Sequence, residues 1–452
     1  MAEMLDEDAA ARRAGAVLAA LAARGIHAGD RVAVVAQNGG AFVAARDAAT
    51  VAGLALVPIN PRLAPAEIAW ILAHARPRAV LADGAHAAVR EDAIDVDALA
   101  PAAPVALDHA AAGATVLYTS GTTGRPKGCW RTAEQERARL AELRASYALS
   151  AGDTHLVVCP LAHSAPGSFL RAARIAGART AIAARFTPEA FVDDVRALQA
   201  SVVFLVPTQV HRLLALPPPG LGSLRAVVVA GAPFAPAHKA AFEAWLGPGR
   251  LHEFYGSSET GTVAVIGPTE HAAHLGTVGR PPPGVSVQVH DGELFVRSPA
   301  VMSGYLSDDG TALAPLEARD GHISVGDLGT IDADGYLTLV DRKHDTIITG
   351  GLNVYPAEVE RALVALPGVA GAVVFGVPDD AWGQLVAAVV ATDDAALDGR
   401  ALRAALRDAL AGYKLPRAIA FCASAELPIG SSGKALRRAA RAAFAAHLAR
   451  ID

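Results

Sequence analysis

Leu117–Gly128 reads Leu-Tyr-Thr-Ser-Gly-Thr-Thr-Gly-Arg-Pro-Lys-Gly, an apolar run that breaks into hydroxyls and glycines and ends on a lysine pair-flanked by Pro126 and Gly128. Such a segment can cradle phosphate. Small residues let backbone N–H groups approach an anion, the hydroxyls of Ser120, Thr122 and Thr123 add donors, and Lys127 supplies positive charge for a terminal phosphate. It is not a Walker loop, which needs a glycine directly before its lysine and a hydroxyl directly after it. Farther along, Tyr255-Gly256-Ser257-Ser258-Glu259 sets a hydroxyl beside a carboxylate, a hard ligand suited to Mg²⁺. Asp327 offers two acceptor oxygens and Arg342 a planar donor fork. Ser432-Gly433-Lys434 places a second lysine on a glycine turn. Taken singly, each has a plainer explanation: an ordinary Gly/Ser/Thr turn, a solvated charge cluster, a surface ammonium.

In this order and at these distances the segments resemble the adenylate-forming superfamily: acyl- and aryl-CoA synthetases, peptide-synthetase adenylation domains and beetle luciferase. The resemblance covers nearly the whole chain. It implies that Thr119, Ser120, Gly121, Thr122, Thr123, Gly124 and Lys127 hold the pyrophosphate end of ATP. Tyr255 would pack on adenine beside Gly256, and Ser258, replacing the usual threonine, would contact the α-phosphate. Glu259 would help to hold Mg²⁺. Gly231, Ala232 and Pro233 would lie nearest the base, Asp327 would receive the ribose hydroxyls, and Arg342 would contact the ribose and phosphate region. His163, in Pro160–Gly167, would border the acyl pocket. Gly350 and Gly351 would let the pantetheine arm of coenzyme A pass close to backbone. Lys434 would be the adenylation lysine, bridging the substrate carboxylate and the α-phosphate.

The implied activity is that of an acid:CoA ligase. A carboxylate is a poor electrophile, so it first attacks ATP to form an acyl-adenylate and pyrophosphate; a thiol then displaces AMP. Positioning and charge balance are the protein's main tasks in such a step. One alternative keeps adenylation but passes the acyl group to a carrier-protein thiol or another nucleophile. A second, of another class, is a catalytically silent ligand-binding protein on the same scaffold, against which the retained Lys127, Glu259, Asp327, Arg342 and Lys434 argue.

Those residues must be held by an α/β scaffold. Helical spacing over Ala9–Arg24, stopped by Gly25, is followed by a strand at Arg31–Ala36, a helix at Ala41–Ala52, an apolar Leu54–Ile59, a helix at Pro65–His74 and a strand at Ala79–Ala82. This alternation predicts a mainly parallel sheet covered on both faces, with ligands beyond the carboxyl ends of its strands. Leu117–Gly128 follows the strand-like Ala114–Tyr118, where that rule places a site. The resemblance implies a large amino-terminal domain of helix-flanked β-sheets with a small β-subdomain over 1–340, a hinge at 341–344, and a small mobile α/β domain over 345–452. The hinge position two after Arg342 is normally acidic or lysine in the family; here it is His344. Beyond it the pattern predicts a helix from Pro356, strands in Val369–Val377 and Leu385–Ala391, a helix near Leu397–Ala411 and a last helix after Lys434.

At 452 residues the chain exceeds one ordinary core, and a net charge of −5 provides no footprint for nucleic acid. Cys129, Cys159 and Cys422 lack metal-ligand spacing and suit a reducing compartment. Acids at the amino terminus and charges within every long apolar run predict a cytoplasmic protein without a transmembrane span. The chain begins close to its first helix, which leaves a homodimer open as an assembly. Its partners are expected to be a small carboxylic acid and coenzyme A or a carrier protein.

The acid itself is weakly encoded. Pro160–Phe169, Val206–Leu214 and Ala230–Phe234 are rich in small residues and lack the aspartate that amino-acid-activating relatives place near Ala162. Fatty, aromatic and specialised-metabolite acids remain. Arg171 is expected to be an exposed helix residue, with recognition of a second polar group on the acid as its alternative.

Overall fold

The computed structural model describes residues 1–119, 126–314, 316, 318–394, 397–429 and 436–451, with backbone alone at 344 and 408. As expected of a large domain of helix-flanked β-sheets, the amino-terminal part builds two mainly parallel sheets. In the first, five parallel strands run in the order Thr115–Thr119, Ala55–Ile59, Arg31–Val35, Ala79–Ala82 and Ile94–Asp95. Three antiparallel strands, Lys127–Arg131, Gly304–Leu306 and Leu313–Ala314, extend it beyond Thr115–Thr119. The second has five parallel strands, Arg179–Ile182, Thr154–Val157, Val202–Leu205, Ala226–Val229 and Leu251–Ser257, with antiparallel edges at Glu3–Met4 and Gly261–Ile266.

Local chemistry explains the alternation. The parallel strands are short apolar runs such as Ala-Val-Val-Val at Ala226–Val229, buried at every position, as expected of strands covered on both faces. The helix Glu7–Ala22 starts where Asp6 Oδ1 accepts the Ala9 N–H at 3.0 Å, with Glu7 and Asp8 at the positive end of its dipole. It ends before Gly25, whose φ of 64° lies in the left-handed region. Pro65 and Pro188 each open a helix, where a missing N–H costs nothing. Helices Gly40–Val51 and Ser164–Ile175 contribute Phe42 and Phe169, both fully buried, to the cores on the two sheets.

A third, five-stranded antiparallel sheet contains Ser286–His290, Glu293–Arg297, His322–Ile331, Ala318–Arg319 and Leu337–Arg342. A fourth follows Arg342: Leu352–Val354, Ile347–Thr349, Gly383–Ala391, Ala418–Cys422 and Ala449–Arg450, with Gly371–Asp379 paired to Gly383–Ala391. Helices Pro356–Val364, Gly399–Ala405 and Arg437–Phe444 accompany this sheet. The helix predicted near 397–411 is shorter than expected, tightening into a 3-10 turn at Leu406–Asp408. All three cysteines are free and buried. Among the described residues no helix is long and apolar enough to cross a membrane.

Candidate active site

Thr115–Thr119 runs to the carboxyl end of the first sheet, and the chain returns antiparallel as Lys127–Arg131, with Thr119 opposite Lys127. Lys127, which the sequence places at the end of a loop, therefore opens a strand. Ser120, Gly121, Thr122, Thr123 and Gly124 lie outside the described residues. Gly128 is tightly enclosed: a Cβ there would stand 3.1 Å from both Tyr118 and Val116 side chains and 3.2 Å from Leu306.

The second motif arrives on the turn between Leu251–Ser257 and Gly261–Ile266. Ser257 Oγ accepts the N–H groups of Glu259 and Thr260, each at 3.1 Å, and so fixes this turn. Glu259 is 9% exposed, and its Oε1 accepts from Thr119 Oγ1 at 3.3 Å and from the Tyr305 hydroxyl at 3.1 Å. The Tyr305 ring also lies 5.1 Å from Lys127 Nζ. Residues from two distant segments thus donate to one carboxylate. Below them Arg131, 1% exposed, donates to the Ser258 carbonyl and pairs with Glu136 at 3.3 Å. Neither Tyr305 nor Arg131 carries a sequence signal of its own; only strand pairing brings them here.

A second group forms around Asp327. The strand Leu251–Ser257 shifts register at Tyr255/Gly256, where a Cβ on Gly256 would meet the Gly261 carbonyl oxygen at 2.2 Å. Only glycine fits there. Tyr255 donates its hydroxyl to Asp327 Oδ2 at 2.5 Å, and Arg342 Nε pairs with Asp327 Oδ1 at 2.9 Å. Asp327 and Arg342 face each other across adjacent strands. Burial, and then the Asp327 carboxylate, pushes the Tyr255 hydroxyl well above its ordinary value. Burial opposes the charge on Arg342, but Asp327 and then Glu259 overcome it and raise its pKa. Both Asp327 oxygens keep lone pairs for further donors.

His163 occupies the N-cap position of Ser164–Ile175, with Nε2 3.2 Å from Asn60 Nδ2; Asn60 is buried and was not singled out in the sequence. Gly231, at φ 95°, leads into Ala232 and Pro233 beyond the strand Ala226–Val229. Ser258, Gly256, Gly231 and Thr119 thus all lie at or beyond strand ends. Arg171 requires a correction. It is buried rather than exposed, paired through Nη1 with Glu136 Oε2 at 3.1 Å, and donates to the Ala111 carbonyl at 3.1 Å. A helix pattern cannot reveal a partner on the neighbouring helix Ala133–Ser146.

Gly350 and Gly351 form the turn of the hairpin Ile347–Thr349 and Leu352–Val354, at φ 55° and 78°. This belongs to the fourth sheet rather than to the Glu259 group. Lys434 lies outside the described residues. Arg437, in the same segment, pairs with Asp345 at 2.6 Å and Glu360 at 2.8 Å, and stands 3.9 Å from Asp341. His344 has no described side chain.

Residues 8–306 match the family described as AMP-binding enzyme, and residues 358–434 match the AMP-binding enzyme C-terminal domain. The chain is 35% identical over 464 residues to a feruloyl-CoA synthase from Amycolatopsis sp, covering 96% of this chain and 92% of that one. It is similar in structure to the amide bond synthetase McbA from Marinactinospora thermotolerans, with a TM-score of 0.83, 30% identity, and coverage of 96% and 94%. The o-succinylbenzoate CoA synthetase of Bacillus subtilis, in complex with its acyl-adenylate intermediate, matches at a TM-score of 0.83 and 27% identity, covering 95% and 91%.

Proposed function

This chain belongs to the AMP-binding enzyme family, and on that premise we propose an ATP-dependent acid:CoA ligase that activates a carboxylic acid as its acyl-adenylate and transfers it to coenzyme A, releasing AMP and pyrophosphate. The observation that carries this reading is that Thr119 and Tyr305 both donate to Glu259 while the Tyr305 ring holds the Lys127 ammonium, at the end of the first sheet. A carboxylate held by hydroxyls, with an ammonium beside the same tyrosine, suits a metal-bound polyphosphate.

In this reading the acid's oxygen attacks the α-phosphorus, the bond to the β-phosphoryl oxygen breaks, and pyrophosphate leaves. Lys127 and the 119–124 segment, including Ser120, Gly121, Thr122, Thr123 and Gly124, hold the departing group. Ser258 contacts the α-phosphate. The residues fit Mg²⁺: Glu259 is a buried hard ligand whose one oxygen is already fixed by two hydroxyl donors. When bound, the ion would offset charge on the pyrophosphate. Tyr255, Gly256, Gly231, Ala232 and Pro233 form the adenine slot, while Asp327 and Arg342 take the ribose. His163 borders the acid, and Lys434 bridges acid and α-phosphate.

The amino-terminal part, 1–340, and the carboxyl-terminal part, 345–452, work as two domains about 341–344, with Gly350 and Gly351 beside the thiol's arm. The similarity to an amide bond synthetase favours one second reading, in which an amine takes the acyl group. The test is pyrophosphate release from ATP and Mg²⁺ over a panel of acids, repeated with coenzyme A or an amine. Thioester formation is expected. Adenylation that yields amide but no thioester removes the CoA assignment, and no acid-dependent pyrophosphate removes the ligase.

A further inference from the structure

Tyr305 lies on the three-residue strand Gly304–Leu306, which pairs with Lys127–Arg131 so that Tyr305 faces Cys129 and Gly304 faces Trp130. That pairing carries its side chain to the mouth of the hairpin. There its two ends do different things: the hydroxyl donates to Glu259 Oε1 at 3.1 Å, and the ring lies 5.1 Å from the Lys127 ammonium. We propose that Tyr305 is a positioning residue for the pyrophosphate step, aligning the Glu259 carboxylate for Mg²⁺ and the Lys127 ammonium for phosphate at once. This rests on the ligase reading above.

Each half has its own physics. A carboxylate oxygen held by two hydroxyl donors, Thr119 and Tyr305, cannot swing freely, so its second oxygen keeps one orientation toward an approaching cation. The ring's negative face attracts an ammonium within about 6 Å, which holds a long, flexible lysine at the site. Because one aromatic residue performs both tasks, the metal ligand and the phosphate-binding cation keep a constant separation. Neither Glu259 nor Lys127 could secure that separation alone, since they come from different sheets. Without Tyr305 the two groups would have to be ordered when Mg·ATP binds, and the ordering would appear as weaker binding.

Two substitutions separate the tasks. Tyr305→Phe keeps the ring beneath Lys127 and removes only the donor to Glu259; Tyr305→Leu removes both. ATP binding to the intact protein is measured by calorimetry across a Mg²⁺ titration, with acid and CoA saturation curves taken in parallel. The Phe variant should need roughly ten-fold more Mg²⁺ for half-maximal ATP binding, the scale of one hydrogen bond to a charged group, with its KM for acid and CoA unchanged. The Leu variant should lose further affinity for pyrophosphate, read as weaker product inhibition. A Phe variant with an unchanged Mg²⁺ midpoint overturns the proposal, even if its Tm falls, because packing alone would lower Tm without moving that midpoint. Wild-type protein whose ATP binding ignores Mg²⁺ would overturn the proposal as well, whereas an absence of acid-dependent pyrophosphate release would overturn the ligase reading itself.

Discussion

Arg131 donates from its guanidinium to the backbone carbonyl of Ser258, binding the strand Lys127–Arg131 of the first sheet to the turn that carries Glu259 in the second. The same side chain pairs with Glu136, which also accepts from Thr115 Oγ1 at 2.9 Å and from Arg171 Nη1 at 3.1 Å. Burial opposes ionisation of Glu136, but Arg131, Arg171 and Arg139 together lower its pKa. Replacing Arg131 by methionine leaves the half-buried Ser258 carbonyl without this donor and removes one counter-charge from buried Glu136. The expected cost is about 3–5 kcal/mol of stability, read from urea unfolding, with a higher KM for ATP in whatever fraction stays folded. An unchanged urea midpoint would show that the link is dispensable.

Glu253 supplies a pH test. Burial pushes its carboxyl up to about 7 from an ordinary 4.5, against the pull of the Lys239 ammonium 2.5 Å away. Between those values the folded chain retains a proton that the unfolded chain has released. The stabilisation is therefore complete below about 4.5 and is lost as pH rises through about 7. Its upper limit is about 3 kcal/mol. Glu253→Gln, neutral at every pH, should flatten the decline in unfolding free energy between pH 5 and 8. Parallel slopes for variant and wild type would contradict this.

The parallel strands of the first sheet at Arg31–Val35, Ala55–Ile59 and Ala79–Ala82 were legible because each is a short apolar run between helical segments; the five parallel strands of the second sheet lie in stretches where the sequence predicts no strand. Motif residues were legible as chemistry, and Tyr255, Asp327 and Arg342 do meet. What one sequence cannot display is pairing across the chain. Tyr305 sits on three residues without a pattern, and its role depends wholly on the register with Cys129. Arg171 shows the same limit: an arginine on a helix looks solvated until the opposing helix presents Glu136.

Gly350 and Gly351 are required first by their turn. Positive φ at both central positions of a two-residue hairpin is the I′ arrangement, and a Cβ on Gly350 would stand 3.0 Å from the Trp382 ring. Gly350→Ala should therefore cost about 1–2 kcal/mol, seen as a lower Tm. Gly351 has open space around it, and asparagine tolerates left-handed backbone, so Gly351→Asn should unfold nearly as wild type does. If the thiol's arm passes here, that variant still raises the KM for CoA several-fold while acid-dependent pyrophosphate exchange is unchanged. An unchanged KM for CoA would leave these glycines a turn and nothing more.

Lys434 offers the sharpest separation of the two half-reactions. Its own segment lies outside the described residues, but Arg437 anchors the following helix to Asp345 and Glu360, beside the strand that carries Arg342. In the proposed reading, Lys434 is needed while negative charge builds between acid and α-phosphate, and not once the adenylate exists. Lys434→Ala should thus cut adenylation by about 10²–10³-fold, the scale of losing one electrostatic donor, without weakening ATP binding. Supplied with synthetic acyl-adenylate and CoA, the same variant should form thioester within a few-fold of wild type. Equal losses in both half-reactions would mean that Lys434 supports the fold or both steps alike, and the division of labour between the domains would fall with it.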